Sequence, residues 1–165
     1  MKQYTKFNNI SGWAVFAIAA WVFLSTIEMT GSFWDCGEFI AAAYELQIGH
    51  PPGAPLFLML SRIMTLFAGS DLQSIPIMVN AFSALMSAFA VLFTFWTITA
   101  IARKIVFVKN QEPSLAQILT VVASGVVGAM AFTFTDSFWF SAVEGEVYAT
   151  SQFFTCIVVW AVFKW

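Results

Sequence analysis

The sequence predicts an all-α polytopic membrane protein with about four transmembrane helices. Of its 165 residues, 60% are hydrophobic and only 10% are charged, whereas about 25% of the residues of a soluble domain are charged. The charged residues also leave four uncharged intervals long enough to cross a bilayer, which takes about 20 mostly apolar residues. The composition excludes a soluble protein. The chain has no GxxxxGK[ST] or GxGxxG motif, and nothing in it indicates nucleic-acid binding.

The uncharged intervals place the spans in order along the chain. They predict helices at about residues 8–28, 75–102, 114–135 and 148–164. No small-residue cleavage site closes the first apolar run, so we expect a retained anchor and not a signal peptide. Ser114 follows a proline and is a suitable N-cap for the third span. The sequence stops at Lys164-Trp165, at the end of an apolar run, which leads us to expect that residues 1–165 are the N-terminal transmembrane module of a larger protein; a complete small subunit is the alternative.

The segment 54–68 is ambiguous, because it is apolar but short and carries Arg62 in its middle. Apolar stretches of this length more often lie at the membrane interface than span it. If the segment does not span, six of the seven basic residues fall on the cytoplasmic side, as the positive-inside rule requires. We therefore expect a cytoplasmic N-terminus, a large outer loop at about residues 28–74 and a second outer loop at about 136–148.

The first outer loop is predicted to contain two interfacial helices. An apolar stripe with helical spacing indicates that the first helix lies along the membrane surface with its apolar side down; its members are Cys36, Phe39, Ile40, Ala43 and Tyr44. Gly49 and the prolines after it are expected to end that helix. The second helix should begin near Pro55 and direct its apolar side chains into the interface, namely Leu56, Leu58, Met59 and Ile63.

Two carboxylates open the first of these helices. Asp35 precedes it and Glu38 follows three residues later, which is the spacing of a capping box, in which both side chains accept hydrogen bonds from free backbone N–H groups. The alternative is a chemical role for the carboxylates. The two roles are compatible, because a capping residue is held in a fixed position.

The other polar residues of the outer loops are also open to two interpretations. His50 is either an ordinary loop residue or a functional one, and Arg62 either reaches toward lipid headgroups or binds a ligand. Glu144 and Glu146 are either solvated loop acids or part of a polar site shared with Asp35. Aromatic residues such as Tyr148 fit an interfacial belt.

The outer-loop residues resemble the protein O-mannosyltransferase-like family. The similarity is carried by the string from Asp35-Cys36-Gly37-Glu38 to Glu45-Leu46, by Gly49-His50-Pro51-Pro52-Gly53 and Pro55-Leu56-Phe57, and by Asn80 and Glu144-Gly145-Glu146-Val147-Tyr148. A small residue, often serine, commonly stands in the family at the place of Cys36. That departure leaves the carboxylates untouched. The family in turn resembles the GT-C superfamily of polytopic glycosyltransferases, so the fold implied is a GT-C-like N-terminal module.

The resemblance implies a function and a set of site residues. It implies an inverting enzyme of the bacterial inner membrane that moves a sugar from a polyprenyl-phosphate carrier to Ser or Thr hydroxyls of exported proteins. Asp35 would be the general base and Glu38 would support it. Substrate-binding residues would be His50, Arg62, Asn80, Glu144, Glu146 and Tyr148. The expected partners are the lipid-linked donor, the protein acceptor and the bilayer. No cofactor is implied, although these acids and His50 are possible ligands of a divalent metal.

Two other functions stay open on the sequence. A non-catalytic subunit or scaffold of a membrane complex is compatible with only four spans. Even for an enzyme, the resemblance implies that the site draws on later helices, so activity of this piece alone is not expected. A transporter subunit is disfavoured, because the predicted spans carry no facing charged residues of the kind that mark ion paths.

Overall fold

The computed structural model describes all residues 1–165, and every regular element in it is a helix. The α-helices are α1 (Lys2–Ser25), α2 (Cys36–Glu45), α3 (Pro55–Thr65), α4 (Ile75–Val106), α5 (Leu115–Thr133), α6 (Asp136–Val143) and α7 (Val147–Lys164), with 3₁₀ turns at Leu66–Ala68 and Leu72–Ser74. Four helices are long and apolar enough to cross a membrane: Lys2–Ser25, Leu72–Val106, Leu115–Thr133 and Val147–Lys164. The predicted all-α polytopic fold is confirmed.

Helix α4 is the centre of the bundle and packs against α1, α5 and α7. Phe95 and Val91 on α4 are fully buried in the main apolar cluster. Close approach of α5 depends on Gly125, where a Cβ would lie 2.5 Å from Thr99 Cγ2 and 2.8 Å from the Phe95 ring. Small residues at helix contacts let backbones come together where no hydrophobic effect drives association in lipid.

The outer surface of the bundle is apolar. Trp21, Val127 and Val158 are 71%, 69% and 60% exposed, although each lies within a long helix. Exposed apolar surface on this scale is rare on soluble monomers and marks contact with a partner or a membrane. Because the four helices also have membrane-spanning length, the chain is an integral membrane protein.

Charged residues are separated between the two ends of the bundle. At one end the N-terminal amine pairs with Glu112, and Gln117 Nε2 donates to the Val106 carbonyl at 3.1 Å. At the other end Trp139 Nε1 donates to Thr26 Oγ1 at 3.1 Å. The first, basic end has Lys2, Lys6, Arg103, Lys104, Lys109 and Lys164. The second, acidic end has Glu28, Asp35, Glu38, Glu45, Asp71, Asp136, Glu144 and Glu146.

Local expectations at the helix ends have mixed outcomes. The cap predicted at Ser114 is confirmed, and it forms a full capping box with Gln117. Helix α2, however, ends at Glu45 and not at Gly49. Leu46 is in the left-handed conformation (φ 55°, ψ 42°), and its N–H returns to the Ala42 carbonyl, which closes the last turn before the glycine is reached.

The apolar stripe of α2 is buried against protein, so the expectation that it faces the membrane surface is wrong. Cys36, Phe39, Ile40 and Ala43 belong to a second apolar cluster that joins α2 to α3 and α4. Leu58 of α3 is buried in the same cluster. The apolar neighbours expected beside it in the interface do remain outside: Leu56, Met59 and Ile63 are each more than half exposed. The side chains of α3 and α4 thus cover the surface that α2 would otherwise present to lipid.

Candidate active site

Asp35 is held at the start of α2 by a buried polar contact with α4. Asn80 of α4 is fully buried and donates from Nδ2 to the carbonyls of Glu28 at 2.7 Å and Thr30 at 3.1 Å. Its Oδ1 lies 3.8 Å from the Sγ of buried Cys36. Since a buried amide is costly to leave unpaired, these two hydrogen bonds fasten the segment that leads into α2 to Asn80. The backbone beside Asp35 is therefore fixed relative to the spans.

Glu38 pairs with His50 instead of capping the helix. The His50 backbone N–H donates to Glu38 Oε1 at 2.7 Å, and the His50 ring Nδ1 lies 3.0 Å from Oε2. Asp35 makes no side-chain cap hydrogen bond. Its backbone is helical (φ −87°, ψ −4°), whereas an N-cap residue is normally extended and turns its side chain back onto the first N–H groups. The capping-box interpretation of Asp35 and Glu38 is wrong.

The histidine also lies close to Asp35, with 3.8 Å between Nε2 and Oδ2. The hydrogen bond with Glu38, the charge of Glu38 and then the charge of Asp35 raise the pKa of His50 above its ordinary value of 6.5. The two hydrogen bonds from His50 lower the pKa of Glu38. These three side chains are solvent-exposed. The acidic end therefore presents a histidine whose protonated form is favoured by the two carboxylates beside it.

Two glutamates of the second outer loop complete a cavity with Asp35. The cavity has a volume of about 330 Å³ and is lined by Trp34, Asp35, Phe140, Ser141, Glu144, Glu146 and Tyr148. Glu144 and Glu146 are only 3% and 5% exposed, and neither forms an ion pair. The two outer loops thus meet at one polar site, as the shared-site interpretation of these acids expects.

Glu144 and Glu146 are buried without a cation nearby, and this raises the pKa of both side chains. Burial, the Glu144 charge and the Asp35 charge raise the pKa of Glu146 to about 7. Burial likewise raises the pKa of Glu144. Desolvation and neighbouring negative charge both disfavour a carboxylate. Near pH 7 the Glu146 side chain is therefore divided between its charged and neutral forms.

Gly145 allows the second loop to approach α4. A Cβ at this position would lie 2.9 Å from Asn80 Oδ1 and 2.9 Å from Val79 Cγ1, closer than a side chain tolerates. Asn80 therefore contacts both loops: it fastens the segment before Asp35 and forms the surface on which the Glu144–Glu146 turn rests. Asn80 is buried and does not line the cavity, so it supports the two loops without facing the site.

Arg62 is not close to the carboxylates. Its guanidinium lies 5.2 Å from the Tyr44 ring and donates to Thr65 Oγ1 at 3.2 Å. Tyr44 is nine residues beyond Asp35 on α2, a rise of about 13 Å along a helix. His50, and not Arg62, is the cationic group that the fold brings to Asp35.

One group of side chains has the composition of a metal site. Asp35, Glu38 and His50 each offer a ligand atom within 4.8 Å of the others. Carboxylate oxygen and imidazole nitrogen suit several divalent ions. In the structure, however, Glu38 and the Nδ1 of His50 already satisfy each other, so the set is complete as a hydrogen-bonded group.

Sequence reasoning missed three residues of the cavity: Trp34, Phe140 and Ser141. Trp34 is the notable one, because it is 88% exposed and has a positive φ of 61°. That conformation is uncommon for a bulky residue, and such strained residues concentrate at functional sites. The sequence signal that could have identified Trp34 is its position directly before Asp35.

Comparison with known proteins gives the same family. Residues 35–165 match the family described as protein O-mannosyl-transferase TMEM260 N-terminal domain. The chain is 30% identical over 147 residues to protein O-mannosyl-transferase TMEM260 of Mus musculus, which covers 88% of this chain and 18% of the mouse protein. It is 26% identical over 125 residues to the Dictyostelium discoideum protein of that name, over 76% of this chain and 13% of that protein. No solved structure matches.

Because the family match extends over most of the sequence, the chain belongs to the protein O-mannosyl-transferase TMEM260 N-terminal domain family. The resemblance stated from the outer-loop motifs is confirmed. The chain spans about a fifth or less of the length of these two relatives.

Proposed function

We propose that the full-length protein containing this chain is a glycosyltransferase that moves a sugar from a polyprenyl-phosphate carrier to Ser or Thr hydroxyls of proteins, with Asp35 as general base. The names of the relatives support mannose as the sugar. The observation that carries the proposal is the position of Asp35, which lies beside a histidine–glutamate pair and opens into a cavity with two further acids. Such clusters of groups with shifted pKa values are typical of active sites.

The first part of the reaction is removal of a proton from the acceptor. A Ser or Thr hydroxyl is a weak nucleophile at neutral pH, and a carboxylate within hydrogen-bond reach accepts its proton as the new bond forms. We assign this role to Asp35. The hydroxyl oxygen bonds to the anomeric carbon, the bond from that carbon to the carrier phosphate breaks, and the phosphate oxygen keeps the electron pair. A single displacement of this kind inverts the anomeric centre.

The second part is stabilisation of the leaving phosphate. Positive groups placed where negative charge develops lower the barrier. His50 is the candidate, since its ring nitrogen lies 3.8 Å from Asp35 Oδ2 and Glu38 favours its protonated form. Glu38 is then a positioning residue that holds the ring. Arg62, 5.2 Å from Tyr44, is left for the carrier's more distant parts or for lipid headgroups.

We propose that Glu144, Glu146 and Tyr148 contact the sugar or the acceptor, because they line the cavity with Asp35. Asn80 supports both loops from its position on α4. Each step uses side chains of this chain, so chelation with EDTA is expected to leave the transfer rate unchanged. Loss of activity that Mg²⁺ or Mn²⁺ restores would instead make Asp35, Glu38 and His50 metal ligands.

The separation of charge between the two ends supports an orientation. Six of the seven basic residues share one end, and the positive-inside rule places that end in the cytoplasm. We therefore propose that the acidic end faces outward, in the bacterial inner membrane with the site on the periplasmic side. A membrane-impermeant thiol reagent should label an Asp35→Cys variant, made in a background without Cys36 and Cys156, only from the outer side.

A donor comparison tests the reaction. Purified full-length protein should transfer mannose to a Ser/Thr peptide from polyprenyl-phosphate mannose and not from GDP-mannose, and a peptide with Ala in place of Ser and Thr should accept none. Transfer from the nucleotide sugar alone would contradict the lipid-linked donor. If neither donor is used by a folded, membrane-inserted protein, the scaffold alternative replaces the enzyme.

A further inference from the structure

The basic end of the bundle contains a second polar cavity, separate from the carboxylate site. It lies between α1, α4 and α7 and has a volume of about 310 Å³. Its lining consists of Tyr4, Thr5, Asn8, Asn9, Trp13, Trp96, Thr99, Ala100, Arg103, Trp160 and Lys164. Two of these side chains are cationic and none is acidic. The cavity therefore concentrates positive charge between apolar helices.

The two cations have no acidic partner in the chain. Neither Arg103 nor Lys164 takes part in any ion pair. Lys164 is held over the face of Trp160, with its Nζ 5.4 Å from the ring centroid. The one acid of this end, Glu112, pairs with the N-terminal amine. Partly enclosed cations without a counter-charge are a favourable place for an anion, because field lines focus in a cleft with low-dielectric walls.

The cavity wall combines aromatic rings with amide groups. The Trp96 ring lies between Trp13, at a centroid distance of 6.1 Å, and Trp160, at 5.9 Å. Its Nε1 is buried against α1, because a Cβ at Gly12 would lie 2.7 Å from it, so the ring and not the N–H faces the cavity. Asn8 and Asn9 offer amide donors in the same lining.

The surroundings of the cavity favour a lipid over a free ion. Trp13, a lining residue on the α1 side of the cavity, is 51% exposed, and Ile10 one turn before it on α1 is 60% exposed. Trp13 provides an apolar surface for an acyl chain directly beside the polar lining. Tryptophan rings lie at headgroup level in membrane proteins, and basic pockets between transmembrane helices recognise lipid head groups.

We propose that this cavity binds the phosphate group of an anionic membrane lipid from the leaflet at the basic end. Arg103 offers a planar set of donors to two phosphate oxygens, and Lys164 supplies a second positive charge. The site is independent of the proposed glycosyltransferase activity, since it lies at the opposite end of the spans.

The test compares lipid retention in matched variants of the full-length protein. Wild type, an Arg103→Gln/Lys164→Gln variant and a Lys6→Gln/Lys104→Gln control are purified in neutral detergent and titrated with phosphatidylglycerol, phosphatidylcholine or inorganic phosphate. Native mass spectrometry counts the bound molecules. The control removes the same charge from the same end but from residues outside the cavity lining. Circular dichroism and a thermal melt establish that each variant is folded.

Wild type and the control should each retain one more phosphatidylglycerol than the cavity variant, whose apparent affinity for this lipid should fall about tenfold or more. Phosphatidylcholine should show no such difference. Equal loss in both double variants would mean general attraction to the basic end and would overturn the site. Equal retention of both lipids would also overturn it. Cavity-dependent binding of inorganic phosphate without preference for the lipid would overturn the lipid assignment.

Discussion

Glu38 and Glu146 both lie close to Asp35, yet their surroundings differ. Glu38 is exposed and bonded to His50, which lowers its pKa. Glu146 is 5% exposed and has no cation, and its pKa is raised to about 7. Two residues of one chemical type therefore differ in charge at neutral pH because of burial and neighbours alone. The comparison indicates that Glu38 favours the protonated form of His50 beside Asp35, whereas the raised pKa of Glu146 limits the negative charge around Asp35.

The largest effect should come from removing Asn80, which supports both the segment before Asp35 and the Glu144–Glu146 turn. Asn80→Ala leaves the carbonyls of Glu28 and Thr30 without their donor. Loss of the two hydrogen bonds, together with the cavity left at a fully buried position, predicts a loss of about 2–4 kcal/mol in the free energy of unfolding, with transfer activity reduced as well. Chemical denaturation in detergent measures it. Gln3→Ala, at an exposed position of α1, is the control and should change little; equal losses in the two variants would contradict the role of Asn80.

A smaller effect should come from a substitution that disturbs only the buried Glu144–Glu146 turn. Gly145→Ala places a methyl 2.9 Å from Asn80 Oδ1, and overpacking of this kind typically costs about 1–3 kcal/mol. The Glu144–Glu146 turn should shift away from α4 and transfer should decrease, while the Glu38–His50 pair stays intact. Gly37→Ala is the matched control, because nothing lies within 4 Å of a Cβ there. If both variants keep wild-type stability and activity, close packing at Gly145 is unimportant.

The next prediction concerns pH and the charge of Glu146. Its folded pKa is raised from 4.5 to about 7, so the native state resists ionisation as pH rises through that interval, and stability falls. Glu146→Gln should therefore raise the melting temperature at pH 8 by roughly 2–4 °C, as expected for about 1 kcal/mol, with little gain at pH 4.5. In the wild type, ionisation of Glu146 above pH 7 should repel the anionic donor and raise its KM. Glu146→Gln should remove that rise. Glu45→Gln, an exposed acid of α2, should do neither.

The smallest effect should come from the exposed pair, Glu38 and His50. His50 is the one histidine of the chain, and its pKa is raised mainly by Glu38. Glu38→Gln should lower the pKa of His50 toward 6.5, which NMR of a chain labelled at histidine would measure. The stabilisation from this pair is present between the lowered pKa of Glu38 and the raised pKa of His50, and it is lost on either side of that window. An unchanged histidine titration would show that the two residues are not coupled.

The sequence was sufficient for the spans and for the separation of charge. Uncharged intervals and the positive-inside rule identified four long helices, because the bilayer imposes a length and a charge pattern that need no knowledge of packing. The resemblance in the outer-loop motifs named the site residues, and the structure brings Asp35, Glu38 and His50 together.

Where sequence reasoning failed, the cause was tertiary contact. The spacing of Asp35 and Glu38 is that of a capping box, but His50, twelve residues beyond Glu38, takes the glutamate. The stripe of α2 has the pattern of an interfacial helix, but α3 and α4 cover it. Periodicity states which side of a helix is apolar and does not state what covers that side.

The general-base role of Asp35 is the central claim, and the transfer rate of Asp35→Asn tests it most directly. Purified full-length wild type, Asp35→Asn and Asp136→Asn are compared with polyprenyl-phosphate mannose and a Ser/Thr peptide; Asp136 is an exposed acid at the same end, outside the cavity lining. Loss of general-base catalysis should reduce the rate of Asp35→Asn by about 10²-fold or more, with insertion and melting temperature unchanged, while Asp136→Asn keeps wild-type activity. A folded Asp35→Asn protein that transfers mannose at the wild-type rate would contradict the claim.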